Sequence, residues 1–233
     1  MMLETQIDLV GVVRTLLNSL DLSGEVLTVS ADGTNTTITV GNSYHLRKSL
    51  LLSIEGNDYT VVSVNAQSNT IVIEGVPTIN VGDAYKVPNP FFFHGTNYLV
   101  STDFDLKHDE DRLPMFYMEK NIRERWGGRG SNLAATPDFR FVFADHADYA
   151  DWLPDDFNSE RIIGLKRLAW AFRQHILEYT GFATSSIDGF DIEAFDKFGI
   201  YRRNKGAVEN LFNHTLSAVG MLVTIPIYKY CLC

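Results

Sequence analysis

A chain of 233 residues, 45 % of them hydrophobic, is long and apolar enough to bury the core of one large domain or two small ones, which argues against wholesale disorder. Its formal net charge of −9 argues against a surface built to grip nucleic acid through phosphates, although an acidic wall lets DNA slide past without sticking. The two cysteines, Cys231 and Cys233, are too close together for a structural disulfide and too few for an ordinary zinc site, as expected of a reduced protein made in a cytoplasm. Leu3 to Leu20 reads as a first helix, with Ile7, Val10, Val13, Leu16, Leu17 and Leu20 on one stripe. Gly11 and the valines lower its intrinsic propensity, so it needs a packing partner. The first ten residues, MMLETQIDLV, lack the basic-then-apolar order of a signal peptide. No apolar run approaches the roughly 18 residues of a membrane span.

From Ser23 the texture changes to Val, Ile and Thr punctuated by turn residues. Strands are expected at Glu25–Ser30, Thr36–Val40, Leu50–Ile54, Tyr59–Val64, Thr70–Glu74 and Asp83–Val87. Val26 and Thr28 alternate with Leu27 and Val29, and Ile71 and Ile73 with Val72 and Glu74. Short strands at such spacing predict a small all-β barrel or sandwich over 23–90, ended by Pro88-Asn89-Pro90.

Phe91-Phe92-Phe93 is strongly apolar, His94-Gly95-Thr96 reads as a turn, and Leu106–Arg112 as a charged loop. Leu113–Glu119 is a strand candidate with Pro114 at its start, where a missing N–H is tolerated. Asn121–Asn132 is glycine-rich and basic, and reads as a long mobile hairpin or loop. Phe139–Phe143 is the next strand, followed by a polar connection, Ala144–Phe157. The clearest helix follows at Asn158–Tyr179, with Ile162, Leu165, Leu168, Ala169, Phe172, Ile176 and Tyr179 on one face. Asn158 or Ser159 can cap it, and Gly181 stops it. Ser185–Arg203 fits a short helix or irregular strands; Leu216–Tyr230 is the final strand, where Pro226 suggests an edge or a bulge. The expected fold is therefore α+β: an antiparallel or mixed sheet with helices packed on it, formed by 1–22 and 91–233, with 23–90 inserted as a β module.

Sites are sparse. Asp145, His146 and Asp148 with Asp151 form the most metal-like cluster, but no spacing motif supports a metal and a solvated acidic stretch before a helix N-terminus is the better explanation. His108-Asp109-Glu110-Asp111 lacks a calcium-loop glycine. Gly24, Gly33, Gly41 and Gly56 read as turn glycines and make no nucleotide-binding motif. Ser185-Ser186 is not flanked as a nucleophile elbow, and pairing Cys231 or Cys233 with His214 or His175 would need a fixed terminus. Arg123, Arg125, Trp126 and Arg129 form a basic–aromatic cluster suited to contact with phosphates or with an acidic patch on a partner subunit, and an exposed polar hairpin accounts for them equally well. No catalytic residue, metal ligand or cofactor site is expected.

The succession of an N-terminal helix, the strand LPMFYMEK, a projecting loop, the strand DFRFVFADH, the helix ERIIGLKRLAWAFRQHI and the closing strand GMLVTIPIYKY resembles the tail-terminator or tail-completion proteins of tailed bacteriophages. The resemblance lies in topology and texture outside the insert, and the insert departs from the shortest members of that family. It implies a non-enzymatic virion protein of the neck, made in the host cytoplasm. Such a protein forms a ring, commonly a hexamer. Its neighbours are connector and tail-tube proteins, and its lumen passes genomic DNA without specific binding or any membrane contact. Two other readings stand beside it: a carbohydrate- or cell-surface-binding protein using Tyr44, Tyr59 and Tyr85 of the β module, and a metal-dependent enzyme using Asp145, His146 and Asp148.

Overall fold

A computed structural model describes residues 8–96, 113–120, 133–146, 162–182, 189–202, 208–210 and 216–228. The fold is α+β and mostly β, with two helices among the described residues. The chain forms two compact units: Met1–Leu20, Pro90–His146 and Ala169–Cys233 in one, Asp21–Asn89 with Ala147–Leu168 in the other.

The second unit is built on a closed barrel. Its strands are β1 (Ser23–Ala31), β2 (Asn35–Val40), β3 (Leu51–Ile54), β4 (Asn57–Asn65), β5 (Thr70–Glu74) and β6 (Ala84–Lys86), in the spatial order β1-β2-β5-β4-β3-β6. Lys86 pairs with Ser23 on one side and Ser53 on the other, which closes the barrel and leaves no free edge. Ile38, Leu52, Ile54, Ile71 and Ile73 fill the interior, as their alternation requires. At the β1–β2 turn the Asp32 carboxylate accepts the N–H groups of Thr34 (2.9 Å) and Asn35 (2.7 Å), which hold its pKa below the ordinary value. Two expectations need correction. A bulge between Val26 and Thr28 breaks the alternation of β1, so Val26 is buried while Leu27 and Thr28 both face out. Gly24 lies within β1 rather than in a turn; a Cβ there would come 2.7 Å from the Tyr85 ring, so glycine makes room for that ring.

The first unit begins with α1 (Leu9–Asn18). Residues 3–7 of the expected helix lie outside the described residues, and the helix starts at Leu9 because Asp8 caps it, its Oδ1 accepting the Gly11 N–H at 2.9 Å. The remaining elements are β7 (Phe91–Gly95), β8 (Met115–Glu119), β9 (Leu133–Ala135), β10 (Asp138–His146), α2 (Ile163–Glu178), β11 (Asp191–Phe198), β12 (Ile200–Arg202), β13 (Val208–Asn210), β14 (Leu216–Thr224) and β15 (Ile227–Tyr228). Five strands form a mixed sheet in the order β11-β14-β10-β8-β7, with only the β7–β8 pair parallel. β9 pairs with β15 and β12 with β13 as short ribbons.

Alternation divides the apolar residues of this sheet between two faces. Phe116, Phe139, Phe141 and Phe143 point to one face, where Phe172 of α2 meets Phe116, Phe141 and Phe143 with ring centroids 4.9, 5.5 and 5.9 Å apart. Met115, Tyr117, Val142, Ala144, Leu216 and Ala218 form a buried cluster on the other face, with Phe195 and Phe198 packed against it. Gly220 belongs to that face, and a Cβ there would meet the Phe195 ring at 2.9 Å.

Several sequence expectations change here. His94 and Gly95 continue β7 instead of turning, because their pairing with Met118 and Glu119 extends the parallel ladder. β10 runs on through Ala144, Asp145 and His146, so the polar connection begins later than expected. β14 lies between β11 and β10 and is not an edge; Pro226 falls in the break after it, before β15. The ambiguous stretch contributes β11 as a strand.

Candidate functional site

Of the residues suspected of holding a metal, Asp145 and His146 are described, and they sit next to each other on one strand. Asp145 is fully buried and stands opposite Ser217 across β10 and β14. Its Oδ1 accepts the His146 N–H at 2.8 Å. Successive side chains of a strand point to opposite faces, so Asp145 and His146 cannot share one ion. Asp148 and Asp151 lie outside the described residues, as do His108–Asp111, Ser185, Ser186, His214, Cys231 and Cys233. Among the described residues no three His, Cys, Asp or Glu side chains gather into a metal-holding group. His175 joins the two helices: its Nε2 lies 2.9 Å from the Ser19 hydroxyl.

The tyrosines of the β module do not form one exposed face. Tyr85 is buried, and its hydroxyl donates to the Asn42 carbonyl at 2.8 Å. Burial pushes the phenol of Tyr85 up, and does the same to half-buried Tyr44. The basic–aromatic cluster Arg123, Arg125, Trp126 and Arg129 lies outside the described residues.

The structure points instead to the two margins of the five-stranded sheet. β7 and β11 are its terminal strands, and among the described residues neither carries a further strand on its outer side. In β7 the Phe91 N–H donates to the Pro114 carbonyl (3.0 Å) and the Gly95 carbonyl accepts from Lys120 (2.8 Å). In a parallel strand alternate residues bond to alternate sides, so Phe91, Phe93 and Gly95 serve β8. The N–H and C=O of Phe92 and His94 therefore point to the outer edge.

This edge is apolar and positively charged at once. Phe91 is 45 % exposed. The Arg14 guanidinium of α1 lies 4.9 Å from the Phe92 ring centroid. His94 stands near Arg14 and Lys120; burial and then these two cations hold its imidazole below the ordinary value, against a smaller opposing pull from Asp8. Arg14, His94 and Lys120 are all exposed. The β11 margin has the opposite sign: Asp191 and Glu193 are exposed there, with Ala194 beside them.

No protein-family model and no curated protein matches the chain.

Two constellations escaped the sequence reading. Arg167, assigned by periodicity to the polar side of its helix, is part-buried and donates to the Ala66 carbonyl at 2.6 Å and to the Asn69 side-chain oxygen. Asn69, at φ 53°, also donates to the Gly41 carbonyl and accepts from Ser43. The polar turn Asn65–Asn69 was the only signal, and nothing in it named a partner so distant in sequence. Arg173 is held between Trp170 (5.0 Å) and Phe190 (4.8 Å), and the i,i+3 spacing of Trp170 and Arg173 was a readable hint.

Proposed function

We propose that the chain is a structural virion protein of a tailed-phage neck, forming a ring that joins the head connector to the tail and lines the DNA path. The observation that carries this reading is the five-stranded sheet, with a helix on one face and a terminal strand at each margin. Terminal strands present backbone hydrogen-bonding groups in the plane of the sheet. Head-to-tail repetition by one rotation covers both margins and closes a ring. The strands in the order that prompted the tail-terminator resemblance, β8, β10 and β14, belong to this same sheet. A net charge of −9 supports a wall past which DNA moves without binding. On this reading the neighbours are connector and tail-tube proteins, the chemistry is assembly rather than catalysis, and the protein is made in the host cytoplasm and resides in the virion.

The test is antibody labelling of purified particles of the encoding phage, viewed by electron microscopy. Label at the head–tail junction is expected. Label on the capsid, along the tail or at its tip would discard the terminator role, and absence from the particle's protein bands would refute the virion reading altogether.

A further inference from the structure

We infer that the ring, if the reading above holds, is closed by one specific pairing: the outer edge of β7 in one copy takes β11 of the next copy as an antiparallel neighbour. The direction follows from topology. β7 runs parallel to β8, β8 antiparallel to β10, β10 antiparallel to β14, and β14 antiparallel to β11, so β7 and β11 point in opposite directions. A rotation that keeps the helix-bearing face of every copy on one side therefore sets β7 against the neighbour's β11 in the antiparallel sense, the commoner and slightly more stable arrangement.

Charge selects the same partner. The β7 margin carries Arg14 and Lys120, partly offset by Asp8, and the β11 margin carries Asp191 and Glu193. Asp191 and Glu193 share a face with Phe195, whereas Arg14 lies over Phe92 on the opposite face, so Arg14 does not meet them in an ion pair. Although adjacent strands lie only about 4.8 Å apart, groups on opposite faces stand a side chain's length above and below the sheet, at or beyond the Debye length of about 8 Å at physiological salt. Their attraction is therefore a salt-dependent bias, strongest at low ionic strength, that steers one margin toward the other and is not a contact energy. It also works against a symmetric dimer: two β7 margins repel each other, and so do two β11 margins. An exposed aromatic edge strand otherwise templates unwanted pairing, and covering it with β11 removes that hazard.

The experiment measures the mass of the full chain in solution. The His94 N–H points outward, so His94→Pro removes an outer donor without touching the bonds to β8. Asp191→Lys with Glu193→Lys reverses the charge of the other margin at exposed positions. The wild type is expected as a ring, and each variant as a monomer with wild-type circular dichroism. A one-to-one mixture of the two variants should give dimers and no ring, since each retains one intact margin. A folded variant that still assembles to the wild-type mass overturns this pairing and leaves the ring reading standing. A wild type that stays monomeric at its highest soluble concentration overturns the ring and the pairing together. Should His94→Pro not fold, loss or retention of the ring in the charge-reversed variant decides the question.

Discussion

Phe172→Ala should be among the most damaging single substitutions in the sheet unit. Phe172 is fully buried, and its ring meets Phe116, Phe141 and Phe143 at interplanar angles of 66°, 90° and 69°. Truncating a buried phenylalanine costs about 3–5 kcal/mol, the spread reflecting how far the site can collapse. Here three edge-on rings, each worth about 0.5–1.5 kcal/mol beyond its area, come from strands locked in one ladder, so collapse is limited and about 5 kcal/mol is expected. Against a total stability of about 5–15 kcal/mol, that leaves the unit at the margin of folding. With a urea slope of about 2.5 kcal/mol per M, the midpoint falls by about 2 M. Phe172→Leu, which keeps most of the volume, should cost about 1–2 kcal/mol. The assay is urea unfolding followed by far- and near-ultraviolet circular dichroism, with amide exchange in β10 and β14 identifying the transition that belongs to the sheet unit. A loss below about 1 kcal/mol in Phe172→Ala would refute the claim that this ring is the keystone between helix and sheet.

Arg167→Met strands the Ala66 carbonyl and should cost about 1–3 kcal/mol, with Arg167→Lys intermediate, both read by thermal unfolding. Two glycine substitutions should separate cleanly in the same measurement. A Cβ at Gly164 would fall 2.3 Å from the Tyr44 carbonyl oxygen, a backbone atom that cannot step aside, so Gly164→Ala should destabilise by about 2 kcal/mol despite its better helix propensity. At Gly220 the obstacle is the end of the half-buried Phe195 ring, which can swing, so Gly220→Ala should cost about 1 kcal/mol or less. His94 titrates lower in the folded chain than its ordinary 6.5, so the unfolded chain binds the proton more readily. Stability should fall as pH drops from that value through the folded pKa, and be unaffected by His94 above it; urea midpoints between pH 8 and 5 for the wild type and His94→Gln check this, the variant showing the shallower slope.

Much of this architecture was legible because it rests on short-range rules. The 3.6-residue spacing of Ile162, Leu165, Leu168, Ala169, Phe172, Ile176 and Tyr179 predicted an apolar stripe, and all but Tyr179, at the helix end, are buried. Turn chemistry located the barrel strands, as the Asp32 turn illustrates. Barrel and sandwich could not be told apart, since both use the same alternation and differ only in whether the last strand returns to the first. The bulge at Val26 was invisible for a related reason: an inserted residue shifts the phase of the alternation without changing composition. His94-Gly95 resembled a turn because glycine's freedom is a local property, whereas pairing with Met118 and Glu119 is a tertiary one. The sheet margins were the least legible feature, because an edge is defined by strand order and no residue type announces it.

That order explains why partners of this sheet are sought at its margins. One face of the sheet is occupied by Phe172 and the other carries a buried apolar cluster, so neither face offers a broad apolar surface at its centre. The interior strands β14, β10 and β8 each have a neighbour on both sides within the sheet. The barrel has no edge, because β6 returns to β1. Within the five-stranded sheet, backbone pairing between copies therefore falls to β7 and β11. Their opposite direction and opposite charge make them partners for each other and poor partners for themselves, the property that separates a closing ring from a symmetric dimer.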